Sequence, residues 1–521
     1  MSRFLLVSLN LHAILKETTI HLRREKLQVM TDGLGLEDAY GWTLDRIEEQ
    51  GSYKSRLGMR ALMWICHSKR PLGPEELCQA LVVEIGSIDS NDNSAPSIMT
   101  VLNCCQGFVV VDEDGSTLRL IHYTLHEYLS SHRNLFENPH STIAETCLTY
   151  LNSQQVMALS DPRVQSTQHS PFLKYSSLYW GAHMKEESTD RGKTLALKLF
   201  SQYQCHISTR LLLEHTLGQY STHSIADPYK FTGLHHASML GLVEVARALI
   251  MMDGIDINST DETGATPLLW AARGGHKEVV KLLLGLEDIN PDSPDCNLRT
   301  SLSCAAENGH HAVVKLLLGR KDVNPDRRDG LGRTPVSWAA RNGHTLVVWL
   351  LLKRVDVNPD KPDHGGRVPI SWATGSGHEA VVKLLLGRQD VTHDRSDEWG
   401  RTPTSWAARN GHAVIVKLLL ELEDVNPDRP DRGGRAPISW AAGNGHVDVV
   451  KVLLGRTSVN SNRPDLAGRT PVMYAARNGH DAVVKLLRGR QGVNSDRPDR
   501  TAQRYSRRLP GRARARRQRN Y

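Results

Sequence analysis

Long apolar runs are missing from this chain. The longest is Leu346–Leu352, far short of the roughly 20 residues that span a bilayer, so no transmembrane helix and no membrane partner are expected. Cysteine is sparse: eight in 521 residues, with no Cys-x-x-Cys pair. That spacing gives neither a zinc site nor a disulfide framework, and it points to a reducing, intracellular compartment, the cytoplasm or alternatively the nucleus. A phosphate-cradling loop is lacking as well. The nearest look-alike, Gly192-Lys193-Thr194, has Glu187 where the pattern requires glycine. No Gly-x-Ser-x-Gly elbow occurs, and His126-Glu127 lacks the second zincin histidine, Ser130 standing in its place. No catalytic residue, cofactor or metal is expected, and the chain reads as a non-enzyme.

A net basic excess is absent from all but one end. The net charge is +7, but residues 497–521 hold ten Arg and one Asp, or +9, which leaves −2 for everything before them. The tail cannot bury a core and reads as disordered. Weak, sequence-blind nucleic-acid contact is expected of it.

What is present is a repeat. Gly332–His344 reads Gly-Arg-Thr-Pro-Val-Ser-Trp-Ala-Ala-Arg-Asn-Gly-His, and versions return with glycines at 241, 275, 309, 343, 377, 411, 445 and 479, always 34 residues apart. A fixed period of this size marks a solenoid of stacked supersecondary units. In each unit Thr334 caps and Pro335 starts a first helix. Ala339-Ala340 allow close packing, Gly343 ends the helix in the left-handed region, and Val347-Val348 with Leu350-Leu351-Leu352 form the apolar face of a return helix. The units resemble ankyrin repeats, about eight over residues 231–496. Their connector, Asn324-Pro325-Asp326-Arg327-Arg328-Asp329, is longer than the usual one.

Three columns of the array invite functional readings. Histidines 276, 310, 344, 378, 412, 446 and 480 are too far apart to share a metal and read as structural at helix starts. Trp270, Trp338, Trp372, Trp406 and Trp440, with Tyr474, read as packing between helices rather than as an exposed aromatic strip. Arg299, Arg333, Arg367, Arg401, Arg435 and Arg469 form a cationic column, but an Asp four residues before each is expected to cancel it in exposed pairs worth about 0–1 kcal/mol. Partner choice is then expected where the units differ: at Arg273, Glu307, Arg341, Gly375, Arg409, Gly443 and Arg477 after the first-helix alanines, together with the hairpin tips.

Before the array, Leu57–His67, a helix opening at Pro74-Glu75-Glu76-Leu77, and Ser97–Cys105 read as three helices. A hairpin follows, Phe108–Val111 and Thr117–Ile121 around a turn ending in Asp114-Gly115. That is the outline of a winged helix over residues 51–135. Its third helix carries no Lys or Arg, which argues against DNA binding. Residues 136–230 read as a helical bridge whose aromatics, Pro171–Tyr175 and Tyr179-Trp180, cap the solenoid.

The stretches Ala39–Glu48, Ala61–Ile65, Arg70–Leu72 and Leu120–Leu129 resemble the region after the nucleotide-binding module of fungal NACHT-ankyrin proteins, NLR-like signal-transduction ATPases of the STAND class. Their winged helix is similar to one named after GPI inositol-deacylase. The resemblance implies that residues 1–50 are the helical end of a NACHT-type module, and that His122 holds the place of a phosphate-sensing histidine. With no nucleotide domain in the sequence, a structural role for His122 is expected. The fold expected is mainly α, a winged-helix and helical N-terminal region followed by an ankyrin-repeat solenoid. The function expected is recognition of a protein ligand on the array, as the scaffold or sensor portion of an NLR-like protein. The alternatives are a fragment of a STAND ATPase whose nucleotide site lies outside this chain, and nucleic-acid binding through the tail.

Overall fold

A computed structural model of the chain describes residues 19–24, 36–85, 95–112, 114–159, 171–201, 206–217 and 230–489. The tail at 497–521 and most of the segment at 1–50 before Leu36 lie outside the described residues. The chain is mainly α and divides into two compact units, Met1–Glu262 and Thr263–Tyr521.

In the first unit, α1 (Leu36–Glu48), α2 (Ser52–His67), α3 (Pro74–Val82) and α4 (Ile98–Cys104) precede β1 (Val109–Val111), β2 (Leu118–Leu120) and α5 (Tyr123–Ser131). Pro74 starts α3 because its missing N–H costs nothing there, and Glu76 reaches back to the Gly73 amide at 2.9 Å. Ser97 caps α4 by accepting from Thr100 N at 3.2 Å. The strands pair antiparallel, Val110 opposite Arg119. Tyr40 and Phe108 are buried edge to face at 5.9 Å, and Trp64 is buried against Phe172 and Tyr175 at 5.6 and 5.8 Å, so these two bridge aromatics, expected to cap the solenoid, pack on the winged helix.

The unit continues through α6 (Pro139–Leu151), α7 (Gln154–Ala158), α8 (Pro171–Glu186), α9 (Asp190–Ser201) and α10 (Ile207–Leu217) to a first helix pair, α11 (Gly233–Leu240) and α12 (Val243–Ile250). Trp180 of α8 is fully buried, its ring 5.8 Å from Phe200 and 5.4 Å from His236. His236 stands in the tryptophan column of the repeats, so the bridge and the first pair share one aromatic core. That pair belongs to the first unit.

Two of the buried histidines, His183 and His236, give this unit a pH signature. His183 Nε2 lies 2.9 Å from the Tyr175 hydroxyl and Nδ1 lies 2.8 Å from His140 Nδ1. Burial, reinforced by His140 and Lys69, pushes His183 down to about 3, and burial alone does the same to His236. Both stay neutral in the folded unit while the unfolded chain takes up protons near 6.5. Their contribution to stability is therefore complete above pH 6.5 and is lost as pH falls toward 3. Unfolding free energies measured from pH 7 to pH 5 should fall, by about 2 kcal/mol in all for each histidine, the slope approaching about 1.4 kcal/mol per pH unit only below pH 6. A flat profile would contradict the neutral burial of both.

The described residues of the second unit form seven helix pairs: α13 (Pro267–Arg273) and α14 (Lys277–Leu284), α15 (Ser301–Glu307) and α16 (His311–Leu318), α17 (Pro335–Asn342) and α18 (Thr345–Leu352), α19 (Pro369–Ser376) and α20 (Glu379–Leu386), α21 (Pro403–Asn410) and α22 (Ala413–Leu420), α23 (Pro437–Gly443) and α24 (Val447–Leu454), α25 (Pro471–Arg477) and α26 (Asp481–Arg488). Thr334 accepts from Ser337 N at 3.3 Å, and Gly343 takes φ 78°. A Cβ at Gly343 would also stand 2.5 Å from His378 Nδ1 of the next pair, so glycine is required twice over at this position. Ala339, Ala340, Val347, Val348 and Leu351 are buried.

The long connector joins neighbouring pairs. Arg327 reaches Asp292 at 2.9 Å, Lys361 reaches Asp326 at 3.2 Å, Arg395 reaches Asp360 at 2.9 Å and Arg429 reaches Asp394 at 3.1 Å. Above them Arg354 and Arg388 each donate to a carbonyl one unit back, Leu318 O and Leu352 O, at 2.8 Å. The extra residues of the connector thus carry contacts between units.

Candidate partner-binding surface of the repeats

Each unit opens with a turn built on one aspartate. Asp397 Oδ1 accepts the backbone amides of Trp399 and Arg401, both at 2.9 Å. Its Oδ2 accepts Arg401 Nε at 2.9 Å and Trp406 Nε1 at 3.1 Å. The same four-fold set holds at Asp329 with Leu331, Arg333 and Trp338. At Asp465 the indole is replaced by the Tyr474 hydroxyl. Burial pushes Asp465 up, but the bonds from Tyr474 and Arg469 outweigh it and hold the carboxyl below its usual range. Burial and that carboxylate push Tyr474 up to about 12. Consecutive turns are stitched by backbone bonds such as Glu398 N to Gly365 O at 3.0 Å and Arg432 N to Trp399 O at 2.8 Å.

This geometry corrects the reading of the Arg–Asp column as exposed, self-cancelling pairs. Asp295, Asp329, Asp397 and Asp465 are buried, and Arg299, Arg333, Arg401 and Arg469 pair with them. Arg367 and Arg435 do not pair: among the described residues no carboxylate lies within 4 Å of either. Arg367 instead stacks on Trp372 and Trp406, 4.5 and 4.0 Å from their centroids, and Arg435 stacks on Trp440 and Tyr474 at 4.6 and 5.2 Å. Burial and the nearby Arg401 hold Arg367 below the usual guanidinium range.

The aromatic column is packed between helices, with one amendment. Trp270, Trp338 and Trp406 are buried, whereas Trp372 and Trp440 are half-buried, and each ring carries at least one guanidinium over it. Arg341 lies 5.5 Å from the Trp338 centroid and 4.9 Å from that of Trp372. Arg409 lies 5.4 and 5.1 Å from those of Trp406 and Trp440.

The positions expected to choose a partner are therefore not alike. Arg341 and Arg409 are half-buried over tryptophans and have no carboxylate partner among the described residues, and Arg477 is exposed. Arg273 is tied to Asp295 at 3.7 Å and covers Trp270 at 4.8 Å, and Glu307 is tied to Arg299 at 3.6 Å. At Gly375 and Gly443 no side chain projects. Every backbone carbonyl in this set from Arg273 to Gly443 accepts a histidine Nε2 from the next unit, for example Arg341 O from His378 at 3.0 Å and Glu307 O from His344 at 2.9 Å. The histidine column is thus an inter-unit hydrogen-bond ladder, a role that its place at helix starts does not reveal.

In the first unit, His122 Nδ1 accepts Thr124 N at 3.3 Å and caps α5, which gives this histidine a structural role. The groove-facing candidate of the winged helix, α4, carries no cation. Among the described residues no group of three or more His, Cys, Asp or Glu is disposed to hold a metal, and no helix is long and apolar enough to cross a membrane.

Two family profiles match. The one described as GPI inositol-deacylase, winged helix domain, covers residues 45–138. The one described as Ankyrin repeats (3 copies) covers residues 234–329, 320–395, 389–465 and 430–499. No curated protein matches the chain. The ankyrin matches together span just over half of the sequence and coincide with the stacked helix pairs, so this chain belongs to the ankyrin-repeat family.

Proposed function

We propose that the chain is a non-enzymatic recognition module, the scaffold or sensor portion of an NLR-like signalling protein, that binds a protein partner on the turn-and-first-helix side of its repeats. One observation carries this reading: that side presents half-exposed arginines with no carboxylate partner among the described residues, beside exposed apolar turn residues such as Leu331 and Trp399. Arginine and tryptophan are the residues in which binding energy at protein interfaces concentrates. The winged helix and bridge serve as the base on which the first repeat packs. The compartment that fits this role is the cytoplasm.

Selection of phage-displayed random peptides on the full chain tests the reading. Binding of the selected peptides should weaken when Arg341, Arg409 and Arg477 are all changed to Glu. Because Arg341 and Arg409 cover tryptophan faces, the variant should also lose about 1 kcal/mol at each of those two sites. Peptides that bind the triple variant as well as the parent would place recognition elsewhere.

A further inference from the structure

The repeats alternate, and the alternation creates two open sites. Units with Thr334, Thr402 and Thr470 as helix cap carry Arg341, Arg409 and Arg477 at the end of the first helix. The units between them have Val368 or Ala436 at the cap, Gly375 or Gly443 at the helix end, and a Gly-Gly turn, Gly365-Gly366 or Gly433-Gly434. The true period here is twice 34, or 68, residues. In the glycine units the half-buried tryptophan lies between two guanidiniums, Arg341 and Arg367 about Trp372, then Arg409 and Arg435 about Trp440.

A guanidinium stacked on a ring uses its face and leaves its edge N–H groups to donate. None of these four side chains has an acceptor for those groups among the described residues, and all four are half-exposed. The local carboxylates are already engaged. Asp363 accepts Gly365 N and Arg367 N at 2.9 Å and Trp372 Nε1 at 3.1 Å, and Asp431 repeats the pattern with Gly433, Arg435 and Trp440. Each site thus holds two guanidiniums to one spent carboxylate. At Gly375 and Gly443 no side chain covers it, and it is flanked by apolar turn residues, Leu331 and Trp399 exposed by 59% and 50% and, beyond the second site, Leu466 by 82%.

We infer that the two sites together bind one extended acidic peptide segment of a protein partner, with a carboxylate edge-on to each guanidinium pair and apolar side chains on the flanking turns. Stacked helices sit roughly 8–10 Å apart, so sites two units apart are separated by about 16–20 Å. An extended chain rises about 3.3–3.6 Å per residue, which sets the two acidic residues about five or six positions apart. The discontinuous cation pattern, with apolar turns between sites, fits a peptide better than the even charge of a nucleic-acid backbone.

This inference rests on the array being a protein-recognition surface, and its test separates the two claims. The probes, used on the full chain, are a synthetic peptide with two glutamates about six residues apart among Leu, Ser and Ala, the same composition with the glutamates adjacent, a lysine-for-glutamate version, and a single-stranded oligouridine. The spaced peptide should bind best, and more weakly as salt rises. Arg367→Gln with Arg435→Gln should reduce its affinity roughly tenfold or more, while Lys281→Gln, on an exposed return-helix position, should not. A cooperative melt of the double variant with parental aromatic circular dichroism below the transition, even at a lowered midpoint, would exclude collapse of the site as the cause. Equal binding by the double variant, or preference for the lysine peptide, the adjacent-glutamate peptide or the oligouridine, would overturn the inference. If the random-peptide selection yields neutral or basic sequences that depend on Arg341, Arg409 and Arg477, recognition by the array stands and its acidic specificity falls. If no peptide binds, both fall.

Discussion

Asp397→Ala should lower the stability of the repeat array by about 3–5 kcal/mol, the range for removing one partner of a buried ion pair. Asp397 is buried and satisfies four donors at once: two turn amides, Arg401 and the Trp406 indole. Alanine leaves the amides and indole without an acceptor and Arg401 without its counter-charge. The matched substitution Asp363→Ala should cost less, because Asp363 is half-exposed and Arg367 makes no ion pair with it. Chemical unfolding of the two variants side by side measures the difference. Equal losses would mean that the arginine pairing contributes nothing beyond the turn.

Trp180→Ala should cost about 3–5 kcal/mol in the first unit, as expected for a large buried aromatic. Its ring joins α8 to Phe200 of α9 and to His236 of α11, and Gly181 beside it closely approaches Leu240. Because repeat proteins are stabilised by nearest-neighbour interfaces, the loss should appear as earlier unfolding of the first helix pair. Hydrogen exchange over 233–250 is the direct readout, and unchanged protection there would refute the bridge as a cap.

The period and the residue types were enough to anticipate the helix pairs, since Thr334-Pro335, Ala339-Ala340 and Gly343 each act within their own unit. The winged-helix outline was legible for the same reason: the three helices and the hairpin follow from local capping and alternation. What was not legible is set by neighbours one unit away. Asp and Arg four residues apart look like an exposed pair in every unit, yet Asp397 is buried against Trp406, and Arg367 turns from Asp363 toward Trp406 in the next unit. The signal for that difference was present in Gly365-Gly366, Val368 and Gly375, which mark the alternate units. It becomes readable only when residues 34 and 68 apart are compared as spatial neighbours. The histidine ladder was missed likewise, because its acceptors are carbonyls, which no side-chain pattern shows.

The claim that partner recognition resides on the arginine-lined side of the repeats is tested most directly by hydrogen–deuterium exchange on the full chain, with and without the spaced-glutamate peptide. The account predicts slower exchange in the turns and first helices over 331–376 and 399–443, with residues 36–217 unaffected. Protection confined to 36–217, or to the return helices such as Glu379–Leu386 and Ala413–Leu420, would contradict it.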